Sequence, residues 1–181
     1  RGHAFVVGDG TGVGKGRTSM GVIMSHWHQS GSRRALIVSV GSLATDVMRD
    51  FKDTRVHRCF PGTVFIDASK QLPDRKQLAP QAVIFTTYSQ ILAKGYEPYV
   101  KLIRARNGRA AATLVLDEVH KGMSKATNKT YVQVEKLLEA CSDSPLLCMS
   151  ATFASQIDGV RMLAPRLGLV CTSTTPKIQN S

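Results

Sequence analysis

Aromatic residues make up only 6% of this chain and are not interleaved with basic ones, which leaves no stacking platform for unpaired bases. Cysteine is also sparse. The four thiols (Cys59, Cys141, Cys148 and Cys171) lack CxxC spacing, and Cys148 sits inside the apolar run PLLCM. That pattern argues against a zinc site or a disulfide framework and for reduced thiols in an intracellular protein. No apolar stretch approaches the roughly 18 residues needed to cross a bilayer, and the amino terminus has neither a signal-type apolar core nor a start methionine. A soluble chain cut from a longer one, with no membrane partner, is therefore expected. Acidic residues are few: 13 Asp and Glu stand against 24 Lys and Arg, giving a net charge of +11 and a pI near 9.9. Such an excess favours a polyanionic partner through counterion release, and a solvated basic surface explains it equally well.

The 181 residues (19.7 kDa) suffice for one domain with a full core and not for two. Short apolar, β-branched runs recur at 4–7, 35–40, 63–68, 82–87, 112–118 and 145–152. Runs apolar on both faces belong in a parallel sheet covered by helices. Helical patterns fall between them at 14–29, 42–52, 88–106, 127–141 and 155–164. The alternation predicts an α/β fold, a three-layer doubly wound and mostly parallel sheet. Residues 1–171 form the domain in this reading, and the polar, proline-containing stretch 172–181 reads as a linker.

After the first run comes GDGTGVGKGR, residues 8–17. A glycine-rich turn between a buried strand and a helix lets backbone N–H groups approach a phosphate, with the positive end of the helix dipole behind them. The candidate phosphate contacts are Asp9, Gly10, Thr11, Gly12, Val13, Gly14, Lys15, Gly16 and Arg17, with Lys15 supplying a point charge. Two positions depart from the usual G-x-x-x-x-G-K-[ST]. Asp9 stands at the first glycine, and Gly16 stands where a hydroxyl residue normally holds Mg²⁺. Thr18 is turned by about 200° from that position and is a poor substitute. Thr11, water or other ligands must then help.

About a hundred residues downstream, the run LVL ends in Asp117-Glu118-Val119-His120. Adjacent carboxylates at a strand end suit a nucleotide site: Asp117 holds Mg²⁺ through water, and Glu118 polarises the water that attacks the γ-phosphate. The next apolar run closes with Ser150-Ala151-Thr152. His26 and His28 lie on different helical faces, so they make no metal pair.

These motifs, in order, resemble helicase superfamily two. Its Swi/Snf-like ATPases carry an aspartate at the place of Asp9, and its D-E-x-H histidine, here His120, connects the nucleotide site to the S-A-T strand. The match narrows further. G-D-G-x-G-V-G-K-G-R-T (Gly8 to Thr18), D-E-x-H-K (Asp117 to Lys121), S-A-T-x-A-S (Ser150 to Ser155) and R-L-G-L (Arg166 to Leu169) resemble the strawberry notch family of helicase-like ATPases. Glycine after the lysine is a trait of that family. The resemblance runs from Gly2 to about Leu169 and implies a P-loop NTPase domain of RecA-like fold. It also implies ATP and Mg²⁺ as cofactors, with a second RecA-like domain elsewhere in the full-length protein. Phe153 stands where the animal proteins usually have glycine, and Ser155-Gln156-Ile157 replaces Ser-Glu-Pro, so an animal cellular role is not assumed.

By position, the superfamily's nucleic-acid contacts fall on Ser39, Gly41 and Ser42 and on Thr86, Thr87 and Ser89, which also read as helix N-caps. Arg33-Arg34 and Lys101 to Arg109 offer basic clusters, for which a solvated face is the plainer reading of the second. Ser150, Ala151 and Thr152 are the coupling residues. The expectation is nucleic-acid-coupled ATP hydrolysis, with DNA ahead of RNA, in the nucleus of a eukaryote or the cytoplasm of a bacterium or virus-infected cell. A non-hydrolysing binding module with a vestigial nucleotide site is the alternative.

Overall fold

The computed structural model describes residues 3–8, 14–74, 76–104, 112–122, 128–151 and 163–167. The apolar runs become six strands: β1 (Ala4–Val7), β2 (Arg34–Ser39), β3 (Val64–Asp67), β4 (Ala82–Thr87), β5 (Thr113–Asp117) and β6 (Leu146–Met149). All pairings are parallel, in the spatial order β1-β6-β5-β2-β4-β3. The inner strands β4, β5 and β6 are buried at every position, as strands covered on both faces must be.

Helices α1 (Lys15–Ser30), α2 (Ala44–Asp53) and α3 (Val56–Cys59) cover one face. There Met20, Ile23 and Trp27 of α1 and Phe51 of α2 meet Ile37, Phe85, Val115 and Leu147 of the sheet. Helices α4 (Tyr88–Lys94), α5 (Glu97–Ile103) and α7 (Lys129–Ala140) cover the other; α6 (Val119–Gly122) is a single turn after β5. On that side Ile91, Tyr99 and Leu137 meet Leu36, Ile84, Leu114 and Leu146, the alternate positions of the same strands. Each large apolar side chain so buried contributes about 1.5–3 kcal/mol. The result is the doubly wound three-layer architecture that the alternation predicts.

Register fixes what shares an edge. Val38 pairs with Leu116, Ser39 with Thr87, and Met149 with both Val7 and Asp117. The carboxyl ends of β1, β2, β4, β5 and β6 therefore line up, and ligands of open parallel sheets bind outside that edge.

Several boundaries differ from expectation. The helix expected over 88–106 is two helices, α4 and α5, broken at Gly95 (φ 77°, ψ 173°). Pro98 follows in the first turn of α5, where its missing N–H is tolerated. The strand expected over 112–118 ends at Asp117 because Glu118 is left-handed (φ 49°) and cannot extend a ladder. The strand expected over 145–152 ends at Met149, so Ser150 and Ala151 lie beyond it. Of the helix expected at 155–164, only 163–164 is described, within a helical stretch at 163–167; the linker at 172–181 lies outside the described residues.

The start of α4 is tied to the end of β5. Tyr88 is buried, and its hydroxyl donates to the Asp117 main-chain oxygen at 2.8 Å. Burial holds its phenol protonated, well above the usual range. Tyr88→Phe leaves a buried carbonyl short of a donor and should cost about 1–3 kcal/mol. Urea unfolding followed through Trp27, the only tryptophan, checks this. An unchanged midpoint would show that the bond contributes nothing.

Candidate functional site

Gly14 makes the entry to α1. Its φ of 84° is one that only glycine adopts without strain, and it turns the chain from the loop after β1 into the helix, so that Lys15 opens the first turn. Lys15 lines a cleft of about 510 Å³ with Arg17, Arg49 and Asp50 on one side and Asp117 and Glu118 on the other. The residues between strand and helix, Asp9 to Val13, lie outside the described residues.

Asp117 ends β5 with 7% of its surface exposed. Its Oδ2 accepts the Ser39 hydroxyl at 2.8 Å, which is possible because Val38 and Leu116 are in register on neighbouring strands. Burial raises the Asp117 pKa above the ordinary carboxylate value; the Ser39 hydrogen bond works against that, the Glu118 charge adds to it, and the Lys15 charge opposes it. Glu118 follows in its left-handed conformation, which costs about 1–3 kcal/mol in a non-glycine residue and turns the chain out of the sheet. His120 Nδ1 stands 3.3 Å from Glu118 Oε2 and 3.0 Å from the Ser150 hydroxyl. Protonated, that nitrogen donates to Glu118; unprotonated, it accepts from Ser150. One ring atom thus joins the acidic pair to the end of the next strand.

Comparison with known proteins fits this geometry. The sequence profile of the family described as P-loop containing NTP hydrolase pore-1 matches residues 1–180. The chain belongs to that family. It is also strawberry notch-like: it is 30% identical to human protein strawberry notch homolog 2 over 159 residues, covering 84% of this chain and 11% of that protein. Over 181 residues it is 29% identical to Drosophila melanogaster protein strawberry notch, covering 91% and 11%. Arabidopsis thaliana protein FORGETTER 1 is 36% identical over 126 residues, 65% of this chain and 9% of that protein. The chain thus spans about a tenth of the length of these curated relatives. In fold it is similar to the UvsW helicase of bacteriophage T4, with a TM-score of 0.57 at 16% identity over 89% of this chain and 50% of that one. A nuclease-deletion mutant of the Type ISP restriction-modification enzyme LlaGI, in complex with a DNA substrate mimic, gives a TM-score of 0.53 at 14% identity over 83% and 15%.

Within this P-loop NTPase fold the remaining sequence-predicted residues divide into four groups. Gly41, Ser42 and Ser89 are exposed beyond the carboxyl edge. A Cβ at Gly41 would lie 3.8 Å from Thr87 Cγ2, so the two turns meet. Thr87 caps α4 by accepting from the Gln90 N–H at 3.1 Å, as its N-cap reading expects. Ser39 and Thr86 are wholly buried, and the Ser39 hydroxyl is engaged with Asp117. A phosphate-gripping role for these two side chains is not what the packing offers. Thr152 lies outside the described residues.

The basic clusters need correction as well. Arg33 and Arg34 sit at the amino end of β2, across the sheet from the cleft. Arg33 donates to the Trp27 and Ser32 carbonyls at 2.6 Å and lies over the Phe60 ring, while Arg34 donates to the Leu102 carbonyl. Both hold carbonyls inside the fold. Of Lys101 to Arg109, residues 105–109 lie outside the described residues, and Arg104 donates to the Ala140 carbonyl at 2.8 Å. Arg166, expected only as part of a family signature, donates to the Leu138, Cys141 and Ser144 carbonyls and closes the end of α7. His26 Nδ1 meets the Thr113 hydroxyl at 2.8 Å, and burial lowers its pKa.

The sign of the Asp117 shift gives a test. Its carboxyl binds a proton more tightly folded than unfolded, so stability falls as pH rises from the ordinary carboxylate range, about 3.9, through the raised native value. In metal-free buffer at pH 7, Asp117→Asn should unfold at higher urea than the parent. That advantage should close as pH falls below about 4. A variant less stable than the parent at pH 7 would show that the buried charge is fully compensated.

Proposed function

We propose that this domain binds ATP and hydrolyses it in step with nucleic-acid contact, as the N-terminal motor half of a superfamily-two helicase or translocase. The observation that carries the reading is the shared cleft: a loop lysine, Lys15, and the adjacent carboxylates Asp117 and Glu118 line one cavity at the carboxyl edge of a parallel sheet. A lysine ammonium and the first turn of a sixteen-residue helix suit phosphate, and a buried carboxylate beside them suits a hard divalent cation. Mg²⁺, when bound there, would offset phosphate charge.

In this reading Lys15, with the amides of Gly10, Gly12 and Gly14 to Arg17, holds the β- and γ-phosphates, and Asp117 holds the cation through water. Glu118 takes the proton of the attacking water, and its left-handed backbone aims it out of the sheet toward the cleft. His120 orients Glu118 and, through Ser150, reports the state of the site to the segment containing Ala151 and Thr152. The exposed turn residues Gly41, Ser42 and Ser89 contact nucleic-acid phosphates, with DNA ahead of RNA as partner. A second RecA-like domain of the full-length protein supplies the arginine that completes the site, so this domain alone hydrolyses ATP very slowly. The full-length protein works inside the cell.

Titration with Mg-ATP tests the reading. Lys15→Ala should weaken binding by tenfold or more, about 1.4 kcal/mol. Glu118→Gln should bind as the parent does and lose about 100-fold or more of whatever slow hydrolysis the parent has. Equal affinities for parent and Lys15→Ala would instead favour a non-hydrolysing module with a vestigial nucleotide site.

A further inference from the structure

In most phosphate loops the residue after the lysine supplies a hydroxyl to the metal. Here Gly16 has no side chain, and the structure fills the vacated space from elsewhere. A Cβ built on Gly16 would lie 2.0 Å from Asp50 Oδ2 and 3.0 Å from Asp50 Cγ. Cβ atoms do not approach other atoms that closely, so a serine or threonine at position 16 would have to displace the Asp50 carboxylate from the place it now holds.

Asp50 comes from α2 and lines the same cleft as Lys15, Asp117 and Glu118. Its side chain is 15% exposed, and one oxygen lies 3.7 Å from Arg17 Nε. Arg17 is shared with Asp53, whose Oδ2 accepts from its Nη2 at 3.2 Å. The nearest hydroxyls on α1 are turned to the backbone: Thr18 donates to the Gly14 carbonyl at 3.3 Å and Ser19 to the Gly16 carbonyl at 2.7 Å. An aspartate beside a triphosphate is repelled by it unless a cation stands between them. Mg²⁺ sites on nucleotides are commonly made of one or two carboxylates plus phosphate oxygens and water.

We propose that Asp50 takes over the role of the missing hydroxyl. Its carboxylate, directly or through water, is a second protein ligand, with Asp117, to the divalent cation that accompanies the nucleotide, and glycine at position 16 is what admits it. The proposal rests on the nucleotide reading above and assigns α2 a part in the site. Arg17 lies beside the Asp50 carboxylate, and its closer partner is Asp53, which does not neighbour Gly16. It follows that restoring a hydroxyl at position 16 damages the site, because the new side chain and Asp50 compete for one space.

The test is binding of Mn²⁺, read by electron paramagnetic resonance, to the chain saturated with a non-hydrolysable ATP analogue. Nucleotide affinity is measured in parallel in EDTA. Asp50→Asn should weaken Mn²⁺ binding by about 10–100-fold while binding the analogue in EDTA no worse than the parent. Gly16→Ser should also weaken Mn²⁺ binding. Combining it with Asp50→Ala should restore much of the loss, a rescue that a purely structural Asp50 would not give. Asp53→Asn breaks the shorter Arg17 pair but leaves the neighbour of Gly16 in place, and should keep most of the metal affinity. Parent-like Mn²⁺ binding by Asp50→Asn would overturn the proposal. So would a loss in Asp53→Asn equal to that in Asp50→Asn, which would reduce Asp50 to an anchor for Arg17. If the parent bound no nucleotide with or without metal, the functional reading itself would fail, a result separable from either of these.

Discussion

Keeping a carboxylate almost entirely out of water is the constraint around which this domain is built. An ionised side chain moved into a protein interior costs several kcal/mol unless hydrogen bonds and opposite charge offset it. At Asp117 the offset comes from a hydroxyl one strand away and a lysine at the start of α1. Both depend on parallel register. Were β2 and β5 shifted by one residue, Ser39 would face the other side of the sheet and Asp117 would lose its donor. The apolar layers on the two faces are what fix that register, so the core and the site are one problem rather than two.

The same logic runs outward from the acidic pair. Tyr88 holds the carbonyl of Asp117, Glu118 turns left-handed immediately after it, and His120 reaches from that turn to Ser150 at the end of β6. Strain in Glu118 is stored where its neighbours, Tyr88 on the preceding carbonyl and His120 on its carboxylate, hold the turn. The other wall of the cleft is organised by a contact of a different kind. A Cβ at Gly16 would meet the Asp50 carboxylate, so the departure from the common phosphate-loop spelling faces an acidic residue on α2. An unusual residue at one position thus has its counterpart in another element.

Much of this was legible in the sequence, for physical reasons. Strands of a parallel sheet are buried on both faces, so β1 to β6 appear as short apolar runs, and each motif reports a local requirement of strand end or turn. What the sequence conceals are partnerships across long separations. Nothing local marks Ser39 as the donor to Asp117, 78 residues away, or Asp50 as the neighbour of Gly16. Charge misleads for a related reason. Arg33, Arg34 and Arg166 read as surface or signature residues, yet guanidinium groups with several fixed donors are well suited to closing carbonyls inside a fold. The break at Gly95 was hidden because α4 and α5 keep apolar residues toward one shared core.

The central claim is spatial: the triphosphate lies between the first turn of α1 and the acidic end of β5. A crystal structure of the chain with Mg²⁺ and a non-hydrolysable ATP analogue tests it most directly. The account predicts the terminal phosphate within hydrogen-bonding reach of the Lys15 ammonium, with the cation between the phosphates and Asp117. A nucleotide bound on another face, or phosphates in this cleft out of reach of both Lys15 and Asp117, would contradict it.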